Sequence, residues 1–186
     1  MTTETTHAII LAAGFGSRLQ PEEGHKILTR VNERPLLDYH LDNFERLGVT
    51  DITVVTGFES QALMEQLEQW SVPRQIDLHA AYNPDFESGN GQSVLAGVRT
   101  ARSELGESAT PFWLTMSDHL FDPGIFDGLA DDWAPSESTG VMLAVDHKLD
   151  SIFDMPDANK LRVVEGRLEA IGKGIEAFDR IDTGLF

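Results

Sequence analysis

AIILAAGFGSRLQPEEGHK, residues 8–26, opens on a run of small and branched apolar residues long enough for one strand buried on both faces. The run breaks into Gly14-Phe15-Gly16-Ser17-Arg18, and Lys26 follows. A buried strand entering a glycine-rich turn, with cations close behind, suits a polyphosphate. Glycine lets the backbone approach closely, successive N–H groups point at the anion, and Arg or Lys offsets its charge. The stretch departs from two better-known loops. Leu19 stands where the dinucleotide fingerprint has its third glycine, and Lys26 does not keep the Walker A spacing. On these residues alone, a nucleotide loop and a plain tight turn both remain open.

The length of 186 residues fits a single domain, 1–186, with a sizeable core. A composition 41% hydrophobic and 24% charged is ordinary for a globular chain, but the net charge of −17 is not. An acidic surface disfavours nucleic acid and polybasic membrane contacts, both of which need Lys and Arg clusters. An anionic substrate must therefore enter through a local positive patch, which gives the few cations near the glycines more weight. The chain has no cysteine, so disulfides and thiolate sites are excluded. Without a signal peptide or a membrane-length apolar run, the expected location is the cytoplasm.

Apolar periodicity predicts a helix over 35–47 closed by Gly48, a buried strand at 51–56, a helix near 60–70 ended by Val72-Pro73, and a strand near 76–81. This β-α-β-α-β order predicts an α/β fold with a mostly parallel sheet and helices on both faces. Ligands in such sheets sit beyond the carboxyl ends of the strands. That rule aligns 14–18, 57–58 and the segment after Ala81 along one edge. In 82–93 (YNPDFESGNGQS), Asn90, Gln92 and Ser93 can read the edge of a base, or can form an Asn-Gly turn capped by Ser93 before a helix over 93–105. A strand at 111–116 ends in Ser117-Asp118-His119. A carboxylate there suits Mg²⁺, which takes one or two carboxylates plus phosphate oxygens; an N-cap or turn residue is the other reading. His119 reads as a substrate or metal neighbour, or as a packed residue.

Further on, we expect an acidic helix over 122–133, a strand at 140–145, an irregular 150–159 and an antiparallel hairpin pivoting on Glu165-Gly166. Asp146-His147 offers too few ligands for a metal. The chain stops inside an apolar stretch, 181–186, so a continuation beyond residue 186 is expected.

LAAGFGSRL at 11–19, followed by Pro21 and Lys26, resembles the signature of the sugar-phosphate nucleotidyltransferases. With Gly89-Asn90-Gly91-x-Ser93, Met116-Ser117-Asp118-His119, Ile171-Gly172-Lys173 and Asp182-Thr183-Gly184 in that order, the whole chain looks like the inositol-1-phosphate cytidylyltransferases. The resemblance implies a Rossmann-like nucleotidyltransferase fold with a C-terminal antiparallel hairpin, CTP and a phosphorylated polyol as substrates, and Mg²⁺. It implies that Leu11, Ala12, Ala13, Gly14 and Gly16 line the nucleotide, that Arg18 and Lys26 hold phosphates, and that Asp118 binds Mg²⁺. It further implies that Asn90 and Ser93 serve the base and that Lys173 and Asp182 meet the acceptor. Two departures stand out. His25 precedes Lys26 where the wider family usually has Pro, and a second acidic metal ligand in most of that family falls beyond the position where this chain stops.

Other readings stay open beside this one: transfer to choline phosphate, a hexose 1-phosphate or molybdopterin, or a noncatalytic nucleotide-binding regulatory domain. A dinucleotide-dependent dehydrogenase is disfavoured by Leu19, although Glu33 lies near the distance of a ribose ligand. A bare scaffold fits least, because separate motif segments converge on one edge.

Overall fold

Two-sided burial of the first strand requires neighbours on both edges and cover on both faces. The computed structural model supplies them. It describes residues 6–14, 25–57, 60–106, 111–133 and 140–186, with the backbone alone at 62, 68, 69, 71 and 72. Gly16 and Arg18 therefore lie outside the described residues. In chain order the elements are β1 (His7–Leu11), β2 (Arg30–Val31), β3 (Arg34–Pro35), α1 (Leu36–Arg46), β4 (Asp51–Thr56), α2 (Ser60–Arg74), β5 (Asp77–Tyr82), α3 (Asn90–Leu105), β6 (Trp113–Met116), α4 (Pro123–Asp132), β7 (Val145–Asp146), β8 (Lys160–Val164), β9 (Arg167–Gly172) and β10 (Arg180–Asp182). The chain divides into two compact units, Met1–Phe126 and Asp127–Phe186.

In the first unit β5, β4, β1 and β6 form a parallel sheet in that order. The winding runs outward from β1 to β5, then returns across β1 to place β6 on its other side. The order thus reverses between β1 and β6, and an open α/β sheet binds ligands at such a point, outside the carboxyl ends. Ile9 and Val55 face α3, where a Cβ on Gly97 would stand 2.7 Å from Ile9 Cγ2 and 2.9 Å from Val55 Cγ2. Ile10, Ile52 and Val54 alternate to the opposite face and are fully buried there too.

α1 buries Leu37, Leu41 and Phe44, the helical spacing read from sequence, and Gly48 follows with φ +77°. α2 runs four residues past the expected stop, through Pro73 to Arg74. A proline in the last turn forfeits one backbone bond, and Arg74 ties that turn to α1 through Asp38, Asp42 and Glu45. Trp70 Nε1 also donates to Asp38. α3 starts at Asn90 rather than Ser93. Its cap is Gly89, whose φ of 101° and ψ of 168° suit glycine best.

In the second unit β7, β10, β8 and β9 make an antiparallel sheet in that order. The expected hairpin is its β8–β9 pair, turning on Glu165 and Gly166 with φ of 51° and 75°. The strand expected over 140–145 is paired only at Val145–Asp146. Ahead of it, Ala144 exchanges backbone bonds with Leu185 and Thr183 instead of joining the ladder. Among the described residues no helix is long and apolar enough to cross a membrane.

The tight approach of α3 gives a direct test. Gly97→Ala gains about 1 kcal/mol of helix propensity but places a methyl against two β-branched side chains of the sheet, an overpacking cost of about 1–3 kcal/mol. The expected net is a lower urea midpoint with the fold retained. An unchanged or higher midpoint would contradict this packing.

Candidate active site

The end of β1 is held from both sides before the chain turns. Ala12 N–H donates to the Val55 carbonyl at 2.9 Å, and Ser117 N–H donates to the Leu11 carbonyl at 3.1 Å. Leu11, Ala12 and Ala13 are buried. Their side chains and these backbone groups build the floor of the site at the end of β1. Gly57, after β4, crosses directly over this floor: a Cβ there would stand 2.7 Å from the Ala13 carbonyl oxygen and 2.7 Å from Phe86 Cβ.

Lys26 opens a single 3₁₀ turn, Lys26–Leu28, and is only 8% exposed. Its Nζ lies 3.8 Å from Asp118 Oδ2, just after β6, and would be 3.7 Å from a Cβ on Gly14. Gly14, Lys26 and Asp118 thus meet at the point where the strand order reverses. The 3.8 Å separation exceeds a hydrogen bond, so both charged groups retain capacity for phosphate oxygens or a cation. Asp118 is 36% exposed and can reach a ligand from solvent. Among the described residues no group of three or more His, Cys, Asp or Glu could hold a metal unaided. One carboxylate plus nucleotide phosphates is nevertheless the usual donor set of Mg²⁺, so Asp118 fits that ion.

Two buried histidines flank this pair. His25 Nδ1 accepts from Ile27 N–H at 3.4 Å, capping the turn that carries Lys26, while its Nε2 has no hydrogen-bond partner among the described residues. Burial, then the neighbouring Lys26 charge, pushes its pKa down to about 4 against a smaller opposing effect of the Ala12 backbone. His40 of α1 is 1% exposed, and its Nε2 lies 3.2 Å from the Ser117 carbonyl oxygen. Burial pushes its pKa down to about 4 as well, opposed by the Ser117 carbonyl, with His119 lowering it and Asp118 raising it. Both rings are neutral near pH 7. His119 itself is exposed and meets Phe121 edge-on.

The remaining candidates divide into two places. Asn90 is exposed in the first turn of α3, on the ligand edge. Ser93 is buried, and its Oγ accepts from Asn83 Nδ2 at 3.0 Å. Asn83 Oδ1 also accepts from Asp85 N–H at 3.0 Å, and its own N–H donates to the Thr56 carbonyl. Ser93 and Asn83 therefore hold the 83–93 turn in shape. In the second unit, Lys173 pairs with Asp157 and its carbonyl accepts from buried Lys160 Nζ at 2.7 Å. Asp182 accepts from Gly184 N–H and from Asn159 Nδ2.

His40 and Asn83 carry no motif signal, because their partners depend on which strands become neighbours. Phe86 and Gly57 lay in segments assigned to the ligand edge, but their mutual packing follows only from the sheet order.

Over residues 8–161 the sequence matches the family described as the MobA-like NTP transferase domain. The chain belongs to that family. This NTP transferase domain is 28% identical over 181 residues to the bifunctional IPC transferase and DIPP synthase of Aquifex aeolicus. The match covers 96% of this chain but only 38% of that relative's length. The structure of the inositol-1-phosphate CTP transferase from T. maritima superposes with a TM-score of 0.79 at 26% identity, covering 100% of this chain and 71% of that one. UDP-glucose pyrophosphorylase complexed with UDP-glucose superposes at 0.74 with 14% identity over 97% of this chain and 75% of that one, a likeness of fold alone.

The neutral histidines set an acid limit on stability. Their folded pKa values near 4 lie below the ordinary 6.5, so the unfolded chain binds protons that the folded chain refuses. Stability is full above pH 6.5 and falls as pH drops toward 4, by up to about 3 kcal/mol per histidine. His25→Asn keeps an acceptor for Ile27 N–H but removes one titration. Urea denaturation between pH 7.5 and 4.5 should show a clearly shallower loss in that variant, and equal slopes would refute this origin.

Proposed function

We propose that the chain is a Mg²⁺-dependent cytidylyltransferase that transfers CMP from CTP to a phosphorylated polyol, inositol 1-phosphate foremost, and releases pyrophosphate. The observation that carries this reading is the Lys26–Asp118 pair beside Gly14, at the reversal of strand order between β1 and β6. Membership of the NTP transferase family supports nucleotidyl transfer. The base and acceptor are drawn from the IPC transferase and inositol-1-phosphate CTP transferase relatives and from the motif resemblance.

The chemistry is set by charge. An oxygen of the acceptor phosphate forms a bond to the α-phosphorus of CTP, and the bond from that phosphorus to the β-phosphate bridging oxygen breaks in line. Both reactants are anions and the protein as a whole is acidic, so their approach needs local cations. The Lys26 ammonium, on a buried and capped turn, offers N–H donors to the phosphates and neutralises charge where the two anions meet. Arg18 would add a second cation from the same loop. Asp118 would hold Mg²⁺, which would supply Lewis-acid stabilisation of negative charge on the phosphates. The acceptor phosphate is already ionised at neutral pH and needs no general base. Gly14 keeps the space beside the ammonium open, the capped turn at Asn90 would border the base, and Lys173 and Asp182 would serve the acceptor.

The test is pyrophosphate release with Mg²⁺, each nucleoside triphosphate in turn, and a panel of inositol 1-phosphate, choline phosphate and a hexose 1-phosphate. Release with CTP and inositol 1-phosphate is expected. Release with another pair would replace the substrate, and nucleotide binding without release from any pair would favour a regulatory domain. With the productive pair, Lys26→Ala should lower kcat on the order of 10²-fold, as for loss of a preorganised charge-stabilising donor. An unchanged kcat would remove Lys26 from the reaction.

A further inference from the structure

We infer that His40 is a positioning residue for the Lys26–Asp118 pair, acting through the Ser117 peptide. The inference rests on the proposed role of Asp118. α1 buries Leu37, Leu41 and Phe44 against the core, and His40 falls on the same buried face, where an aliphatic side chain would avoid the cost of burying a polar ring. The ring makes one hydrogen bond that reaches far along the chain, Nε2–H to the Ser117 carbonyl at 3.2 Å, across 77 residues. That bond completes a clamp. Ser117 is fully buried, its N–H is fixed by the Leu11 carbonyl of β1, and its carbonyl is fixed by α1. Asp118 is the next residue, and from beside this doubly held residue its carboxylate reaches toward Lys26 Nζ, 3.8 Å away.

The two bonds hold the peptide planes on either side of the Ser117 Cα, which leaves the backbone dihedrals of that residue little freedom. Without His40, the Ser117 carbonyl would be buried and unpaired, and the chain would reorient to satisfy it. The first group to move would be Asp118. The effect should fall on the chemical step and on the coupling between the metal and the nucleotide. Basal nucleotide binding should change little, because the end of β1 is anchored separately through Ala12 and Val55.

The experiment compares the full chain with His40→Gln, whose amide reaches about as far as imidazole Nε2, and with His40→Asn and His40→Leu, which cannot donate to Ser117. Circular dichroism and urea denaturation establish folding. Calorimetry then gives CTP affinity with and without Mg²⁺, and pyrophosphate release gives kcat and KM. The expected result for His40→Asn and His40→Leu is a kcat lower by about tenfold to hundredfold, as for small misplacements of a catalytic group. CTP affinity without Mg²⁺ should stay within about twofold of wild type, and Mg²⁺ should no longer strengthen CTP binding; His40→Gln should restore the metal effect and kcat. If the leucine variant does not fold, the Asn and Gln variants carry the comparison. Equal behaviour of Asn and Gln, whether both impaired or both wild-type, overturns the inference. If wild-type protein binds Mg²⁺-CTP but releases no pyrophosphate from any pair, the proposed function fails while the metal-coupled affinity still decides the role of His40. If Mg²⁺ has no effect on CTP binding by the wild type, both fail.

Discussion

The amide of Ala12 bound to Val55 and the carbonyl of Leu11 bound to Ser117 fix the end of β1 to a strand on either side before the chain enters its glycines. Every described part of the candidate site in the first unit hangs on that junction. The bond to Val55 brings Gly57 and Phe86 over the floor, while the bond to Ser117 brings Asp118 within reach of Lys26. A parallel sheet buried on both faces makes the junction rigid, because a slip of one residue would exchange side chains fitted to two different packed layers. The chemistry is thus placed by strand pairing, and the loops add the charges.

Charge explains why so few residues matter. A chain of net charge −17 repels polyphosphates at long range, so an anion is held only where cations and backbone donors are concentrated. Lys26 is such a point, nearly buried and, among the described residues, facing the Asp118 carboxylate at a distance longer than a hydrogen bond. The neutral histidines beside it do not compete for the anion or the cation. They hold backbone: His25 caps the turn beneath Lys26, and His40 meets the carbonyl before Asp118. The same division appears at the second edge segment, where Ser93 and Asn83 satisfy each other and leave Asn90 on the surface.

The second unit follows a different plan. Its sheet is antiparallel and its ladders are short, and buried Lys160 spends a donor on the Lys173 carbonyl while Lys173 pairs with Asp157. Its polar side chains largely satisfy one another. The fold that carries these features is shared by proteins of differing substrates, so a substrate must be argued from side chains rather than from architecture.

Much of this organisation was legible in the sequence because it is local. Strand and helix periods, Gly48 as a helix stop, the Glu165-Gly166 turn and the acidic residue after β6 all follow from neighbouring residues. The sequence also carried its motifs in an order that pointed to the family. Local signals failed where a distant partner overrode them. Pro73 stays within α2 because Arg74 reaches α1, and α3 begins at Asn90, capped by Gly89, while Ser93 is taken by Asn83. The sequence by itself determined the alternating elements, the acidic balance and the residue types available to meet a phosphate. Only the tertiary structure decided that Lys26 and Asp118 become neighbours, and that His40 and Ser117 meet across 77 residues. Those pairings come from the order of strands in the sheet, a property of long-range packing that no window of sequence contains.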